Sequence, residues 1–380
     1  LIIGLLRYIK RFFLYPLRNL NVFRFSFHRY PPNGYYPCHV KNYDKNQKKL
    51  IEQYKNEKQI VVFFNLTIHI VTGGMISINN FVEHSKQFST EYNFGLIMSG
   101  LPFEYAVIPN KYFEYALDPI DFNYIIKYTK PEKLLLNIPE VFIISFLNAL
   151  SVKHIEWLKS INKLNINILN QNDELMPEQK YIEKIREICN NRLTITAAHK
   201  SYCTSEKSVQ YGTPVFLLRP FAEKHYKTDL KDKKNIILLS PDLNDYKDKV
   251  IKKLKKELPD YKFKIIKNMK FEDYKKEISK AKYTITFGEG LDGYFSEPYK
   301  SCSIGFAVYN NVFFPKDFPK IQTLYASWQD LYDNIVEDIR NIDKNPLKYK
   351  EISKTIENYF LANDTSMNNL EDLYKRWMGN

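Results

Sequence analysis

The sequence predicts an α/β protein built from two doubly wound, Rossmann-like domains in series that face each other across a cleft. Three observations predict it. The chain has 380 residues, whereas single cores stop growing at about 250 to 300 residues, so two cores are expected. From residue 58 onward, short apolar runs alternate with helix-length amphipathic stretches, the pattern of a mainly parallel sheet covered by helices. The alternation then stops at a polar, highly charged stretch, residues 221–234 (FAEKHYKTDLKDKK), and starts again beyond it. That stretch reads as the linker.

Taken in order, residues 1–30 form a basic amphipathic segment. Arg7, Lys10 and Arg11 share one helical face and Leu5, Leu6, Ile9, Phe12 and Phe13 occupy the rest, with Arg18, Arg24 and Arg29 adding charge and no acid between them. Four basic residues interrupt the first twenty, too many for a bilayer span of about 20 apolar residues. The segment is expected either to lie on an anionic membrane surface or to pack on its own domain. The chain begins at Leu1 rather than Met, which leaves upstream residues or a cleaved leader open.

Residues 31–220 form the first domain. Its expected strands are Ile60 to Asn65, Phe94 to Ser99, Lys133 to Ile138, Asn165 to Asn170 and Leu193 to Ala198, with helices at Ile76 to Gln87, Val141 to Leu150 and Pro177 to Asn190. Pro177 is read as a first-turn proline. Residues 221–360 form the second domain. Its strands are Ile236 to Ser240, Lys262 to Ile266, Tyr283 to Phe287 and Ile304 to Tyr309, and its helices Asp245 to Glu257, Glu272 to Ala281 and Tyr294 to Cys302. Trp328, Leu331, Tyr332 and Ile335 form a helical stripe, and a last helix in 361–380, with Leu370, Leu373, Tyr374 and Trp377, is expected to pack back on the first domain.

Composition excludes several classes. A hydrophobic fraction of 44% and a charged fraction of 26% fit neither a disordered chain nor a polytopic membrane protein. The net charge of +13 admits any polyanionic partner, but much of it is Lys on helices, such as Lys252, Lys253, Lys255 and Lys256, which reads as a solvated face. Cys38, Cys189, Cys203 and Cys302 include no Cys-x-x-Cys pair, and the seven histidines show no His-Glu-x-x-His. No metal site or resident cofactor is expected.

Ligands in open α/β sheets bind beyond the carboxyl ends of the strands, so loops that follow strands carry the chemistry. The most informative is FGEGLDGYFSEP, Phe287 to Pro298. Glu289 stands in the loop and Glu297 on the helix behind it, while Gly288, Gly290 and Gly293 admit close backbone approach and helix-terminal amides can face a diphosphate. Two glutamates separated by seven residues, after the third strand of a second α/β unit, resemble the donor site of the retaining GT-B glycosyltransferases (glycosyl transferase group 1). The resemblance implies a GT-B fold, a nucleoside diphosphate sugar as co-substrate and no bound cation. It implies that Glu289 accepts hydrogen bonds from the donor sugar and Glu297 from the ribose.

Gly73 and Gly74, in HIVTGGMISINNF after the first strong strand, sit where the family carries glycine pairs facing donor phosphates or acceptor. ILNQNDELMP, Ile168 to Pro177, is similar to a segment of rhamnan-type glycosyltransferases and offers Asn172 and Glu174 on the acceptor side; Asp173 serves equally as a helix cap. His69 and His199 hold family-like cleft positions, and His199 joins Glu289 as a candidate catalytic residue. The segment Tyr211 to Phe221 is similar to the strand closing the first domain. One departure stands out: relatives carry Arg and Lys after the first strand of the second domain to neutralise the leaving diphosphate, and here LLSPDLNDYKDK brings Ser240 and Asp242. Arg219, Lys224 or the glycine-loop amides are expected to take that role.

The resulting expectation is a metal-independent hexosyltransferase acting on a surface glycan or lipid-linked acceptor, of capsule or lipopolysaccharide type, cytoplasmic and peripheral on the inner membrane through residues 1–30. An inverting GT-B transferase, a sugar-nucleotide epimerase and a basic nucleic-acid-binding protein stay open as alternatives. No motif for specific nucleic-acid recognition is present.

Overall fold

The computed structural model of the chain describes residues 37, 40–65, 67, 71–102, 106–110, 113–221, 226–267 and 269–379. The expectations for residues 1–30, His69 and Lys224 lie outside them.

The first unit runs α1 (Tyr43–Ile51), β1 (Gln59–Phe64), α2 (Gly73–Glu91), β2 (Gly95–Ser99), α3 (Phe122–Tyr128), β3 (Lys133–Pro139), α4 (Ile143–Ala149), α5 (Val152–Ser160), β4 (Lys163–Asn170), α6 (Gln179–Ile188), β5 (Leu193–Ala197), α7 (Ser205–Tyr211) and β6 (Val215–Leu217). Its six strands pair in parallel in the order β2-β1-β3-β4-β5-β6. Such strands are apolar on both faces because helices cover both. Side chains alternate accordingly: Ile60, Val62 and Phe64 join Leu134, Leu136, Ile166 and Ile168 on one face, and Val61, Phe63, Leu135 and Leu169 meet Phe81 and Val82 of α2 on the other.

The second unit runs β7 (Lys234–Leu239), α8 (Lys247–Glu257), β8 (Lys262–Ile265), α9 (Phe271–Lys280), β9 (Ala281–Ile285), α10 (Gly293–Ser296), β10 (Ile304–Val308), β11 (Leu324–Tyr325), α11 (Trp328–Asp343), α12 (Pro346–Ala362) and α13 (Ser366–Met378). Its five strands take the order β11-β10-β9-β7-β8. The buried stripe of α11 is Leu331, Ile335, Ile339 and Ile342, spaced three and four residues apart to face the sheet. The last helix, α13, covers the first sheet instead: Tyr374 and Trp377 lie 5.0 and 5.6 Å from the Phe94 ring, and the Tyr374 hydroxyl bonds Ser85 Oγ. Burying side chains of this size contributes about 1.5–3 kcal/mol each.

Two local expectations need correction. A single helix over Tyr294 to Cys302 does not form: α10 ends at Ser296 and a 3-10 turn, Pro298–Ser301, follows. Pro298 has no N–H to continue the ladder, and Cys302, at φ 57, turns the chain into β10. Pro177 lies outside α6, ahead of its N-cap Glu178. Among the described residues, no single helix is long and apolar enough to cross a membrane.

The strand orders position the site. Each sheet reverses its direction of winding once, between β1 and β3 in the first and between β7 and β9 in the second. The loops after those strands diverge there and leave a crevice.

Candidate active site

At the second crevice, the loop after β9 is held from three sides. Ser240 Oγ, at the end of β7, accepts the Phe287 N–H at 2.9 Å. Thr286 Oγ1 accepts the Gly288 N–H at 3.1 Å and donates its own proton to Asp292. Asp292 also caps α10 by accepting the Tyr294 and Phe295 N–H groups at 2.8 and 3.2 Å. The glycines then serve different ends. Gly290 has φ 93, and a Cβ on it would stand 2.4 Å from the Val308 carbonyl oxygen, so the turn itself demands glycine. A Cβ on Gly288 would meet Asp292 Oδ2 at 3.0 Å and Asp242 Oδ2 at 3.1 Å. That measurement draws Asp242, from the loop after β7, into the site.

Glu289 projects from this loop into a cavity of about 370 Å³ lined by Gly288, Glu289, Val308, Tyr309, Asn310, Asn311 and Trp328. Its side chain is open to solvent, yet the surrounding walls restrict hydration and raise its pKa, with the charges of Asp242 and Glu174 adding to the effect. Glu174 belongs to the first unit, so the two sheets confront each other here. Burial pushes Asp292 up to about 7 against its Thr286 hydrogen bond, helped by Asp242 and Glu289. Glu297 stands apart from the cavity lining. It is half-buried, with Oε1 3.1 Å from where a Gly293 Cβ would be and a hydrogen bond to Tyr274.

A buried lysine lies further along the segment after β7. Lys247, at the start of α8, donates from Nζ to the Ser240 and Asp242 carbonyl oxygens, 2.7 Å each, and lies 5.4 Å from the Phe287 ring. Phe287 in turn stacks on Trp328 at 5.8 Å. Burial lowers the Lys247 pKa, with Asp242 opposing.

On the first unit, Thr72 caps α2 through its hydroxyl, which accepts the Met75 N–H at 3.2 Å. A Cβ on Gly73 would meet nothing within 4 Å, leaving that helix end open, whereas one on Gly74 would stand 3.1 Å from Gln171 Oε1. Asn172 donates its N–H to Glu140 Oε1 at 3.0 Å, and its Oδ1 accepts the Glu174 N–H at 3.0 Å. Asp173 is occupied by Lys207, the Tyr211 hydroxyl and Asn170 Nδ2. His199 follows β5 and reaches the second unit, its ring 6.2 Å from Phe313. Burial, then the Arg219 charge, push its pKa down to about 4, so the imidazole is neutral at pH 7. Arg219 follows β6 with a buried Nε that has no hydrogen-bond partner, and its charge also reaches Tyr359 of α12.

Gly288 and Glu289 thus line one cavity and the Glu174 charge reaches Glu289 from the first unit; Asn172 and Gly74 neighbour Glu174 and Gln171, Glu297 stands off the lining, and His199 and Arg219 lie where the two units touch. Sequence reading missed Glu140, Asp292, Lys247 and Trp328 as site residues. Glu140 and Lys247 carried one usable signal, a position directly after a strand or at the start of the next helix. Among the described residues, no group of three or more His, Cys, Asp or Glu side chains is arranged to hold a metal ion.

No family model matches the chain, and no curated protein does. Among solved structures, an α-glucosyltransferase in complex with UDP and a 13-mer DNA aligns over 84% of this chain and 100% of its own, at 9% identity and a TM-score of 0.58. UDP-GlcNAc 2-epimerase from Neisseria meningitidis, bound to UDP-GlcNAc, aligns over 85% and 100% at 10% identity and a TM-score of 0.47. TarM aligns over 67% and 57% at 12% identity and a TM-score of 0.47. At such identities likeness speaks to architecture, and the architecture is that of the GT-B fold: two facing α/β units with six and five parallel strands.

Proposed function

We propose that the protein is a glycosyltransferase that moves a sugar from a nucleoside diphosphate sugar to a hydroxyl of a surface glycan or lipid-linked acceptor, of capsule or lipopolysaccharide type, with retention and without a metal. The observation that carries the reading is Glu289. It is a carboxylate set at the switch point of the second sheet, lining a ligand-sized cavity and facing the first unit. In this reading Glu289 accepts hydrogen bonds from the donor sugar, and Glu297 accepts them from the ribose. The open α2 end at Gly73 and Gly74, with Arg219 and Lys224, stabilises charge on the leaving diphosphate. Neutral His199, with His69, Asn172 and Glu174, meets the acceptor.

Burial, with the Asp242 and Glu174 charges, raises the Glu289 pKa, and burial, with the Asp242 and Glu289 charges, raises that of Asp292, so the wall around Glu289 is acidic. Residues 1–30 keep the proposed role of attachment to an anionic inner leaflet, at the cytoplasmic face. The experiment is donor turnover: purified protein with UDP-, GDP-, CDP- and dTDP-sugars, following nucleotide release and the anomer of the product. Interconversion of the sugar nucleotide without release would instead identify an epimerase.

A further inference from the structure

The first sheet has its own switch point, between β1 and β3, and the residue that directly follows β3 there is Glu140. It is 4% exposed. Oε1 accepts the Asn172 N–H at 3.0 Å, the Gln171 amide also bonds the carboxyl, and Oε2 is buried with no hydrogen-bond partner. The described residues give it no basic partner. Burying a carboxyl in this way is costly unless it is fully hydrogen-bonded, so fold stability does not account for it. What it touches does. Asn172 caps the Glu174 N–H, Gln171 fills the space beside Gly74, and the Glu174 charge is felt by Glu289 across the cleft.

We propose that Glu140 is a positioning residue for the acceptor side of the cleft: through the Gln171 and Asn172 amides it sets where Glu174 stands opposite Glu289. The mechanistic part rests on the transferase reading above; the structural part does not. Burial pushes the Glu140 carboxyl up to about 7, with the amides of Gln171, Glu140 and Asn172 opposing. The loop after β4 carries Asp173, paired with Lys207, and Glu174, and α4 carries no charged residue; burial and backbone amides account for the Glu140 shift. A carboxyl whose folded pKa is raised favours the closed loop fully below its ordinary value of 4.5 and loses that contribution as pH rises through about 7. The loop over residues 170–176 therefore loosens with rising pH.

The test uses the full chain and two readouts between pH 5.5 and 8.5. The first is hydrogen exchange in the peptide 170–176, corrected for the intrinsic pH dependence of exchange. The second is UDP release from UDP-glucose with water as acceptor, alongside UDP affinity. In the wild type, exchange in this peptide rises by about tenfold or more across the range. Glu140→Gln keeps the shape and an acceptor oxygen but cannot ionise, so its corrected exchange is flat. Glu140→Ala exchanges fast at every pH and lowers UDP release about tenfold with UDP affinity unchanged. Identical profiles for wild type and Glu140→Gln overturn the proposal, even if Glu140→Ala fails to fold. Failure of the wild type to release nucleotide from any sugar nucleotide sinks the transferase reading alone, because the exchange arm still decides the role of Glu140.

Discussion

Replacing Gly290 by alanine tests the geometry of the donor loop most sharply. Two costs add. At φ 93 an L-residue lies in the left-handed region, at about 1–2 kcal/mol. The new methyl would also start 2.4 Å from the Val308 carbonyl oxygen and 2.9 Å from Phe314 Cε2, and overpacking of this kind costs about 1–3 kcal/mol after relaxation. The neighbour cannot yield easily, because Val308 is held in β10 against Tyr325 of β11. A total of about 3 kcal/mol lowers the Tm of a unit this size by about 6–12 °C. Thermal denaturation followed by near-ultraviolet circular dichroism reads it directly, since Phe287, Trp328 and Tyr309 surround the loop. A variant melting within about 2 °C of wild type would refute the loop geometry, and with it the location of Glu289.

Other expectations follow from the same contacts. Gly73→Ala has open space for its methyl, so stability stays level or rises by up to about 1 kcal/mol, while nucleotide affinity falls if the α2 end meets the diphosphate; calorimetry separates the two. Asp292→Asn keeps the cap but not the charge. Because the Asp292 pKa is raised from 3.8 to about 7, the wild type loses stability as pH rises through about 7, and the variant's advantage in urea unfolding grows by a few kcal/mol, on the order of 2–4, between pH 4 and pH 8. Trp377→Ala removes a side chain that is 1% exposed and packed on Phe94. It should cost about 3–5 kcal/mol and expose α13 to limited proteolysis before the rest of the chain.

Much of the fold was legible because parallel strands buried on both faces write themselves as apolar runs, as in IVVFF within β1 and LLL within β3. The short pieces were not. β11 has two residues and no periodicity to read. The false helix over 294–302 ignored Pro298, whose missing N–H ends α10. At the candidate site, the place of Glu289 beside the cavity was legible because glycines and a carboxylate follow a strand. Glu140 was not, because its meaning depends on β1 lying beside β3, a neighbour relation that linear sequence does not print. Lys247 was hidden by company: it opens a lysine-rich helix whose Lys252, Lys255 and Lys256 are exposed as a solvated face would be, while Lys253 bonds the Tyr332 carbonyl oxygen and Lys247 turns inward.

The central claim is that the cavity beside Glu289 holds a nucleoside diphosphate sugar that the protein turns over. The most direct measurement is nucleotide release from the sugar-nucleotide panel by wild type and Glu289→Gln, each shown folded by its melting curve. Release from one donor by the wild type, with loss of about a hundredfold or more in the variant, is the expected result. Equal release by both proteins, or none from any donor by a folded wild type that also shows no nucleotide-induced shift in Tm, would contradict it.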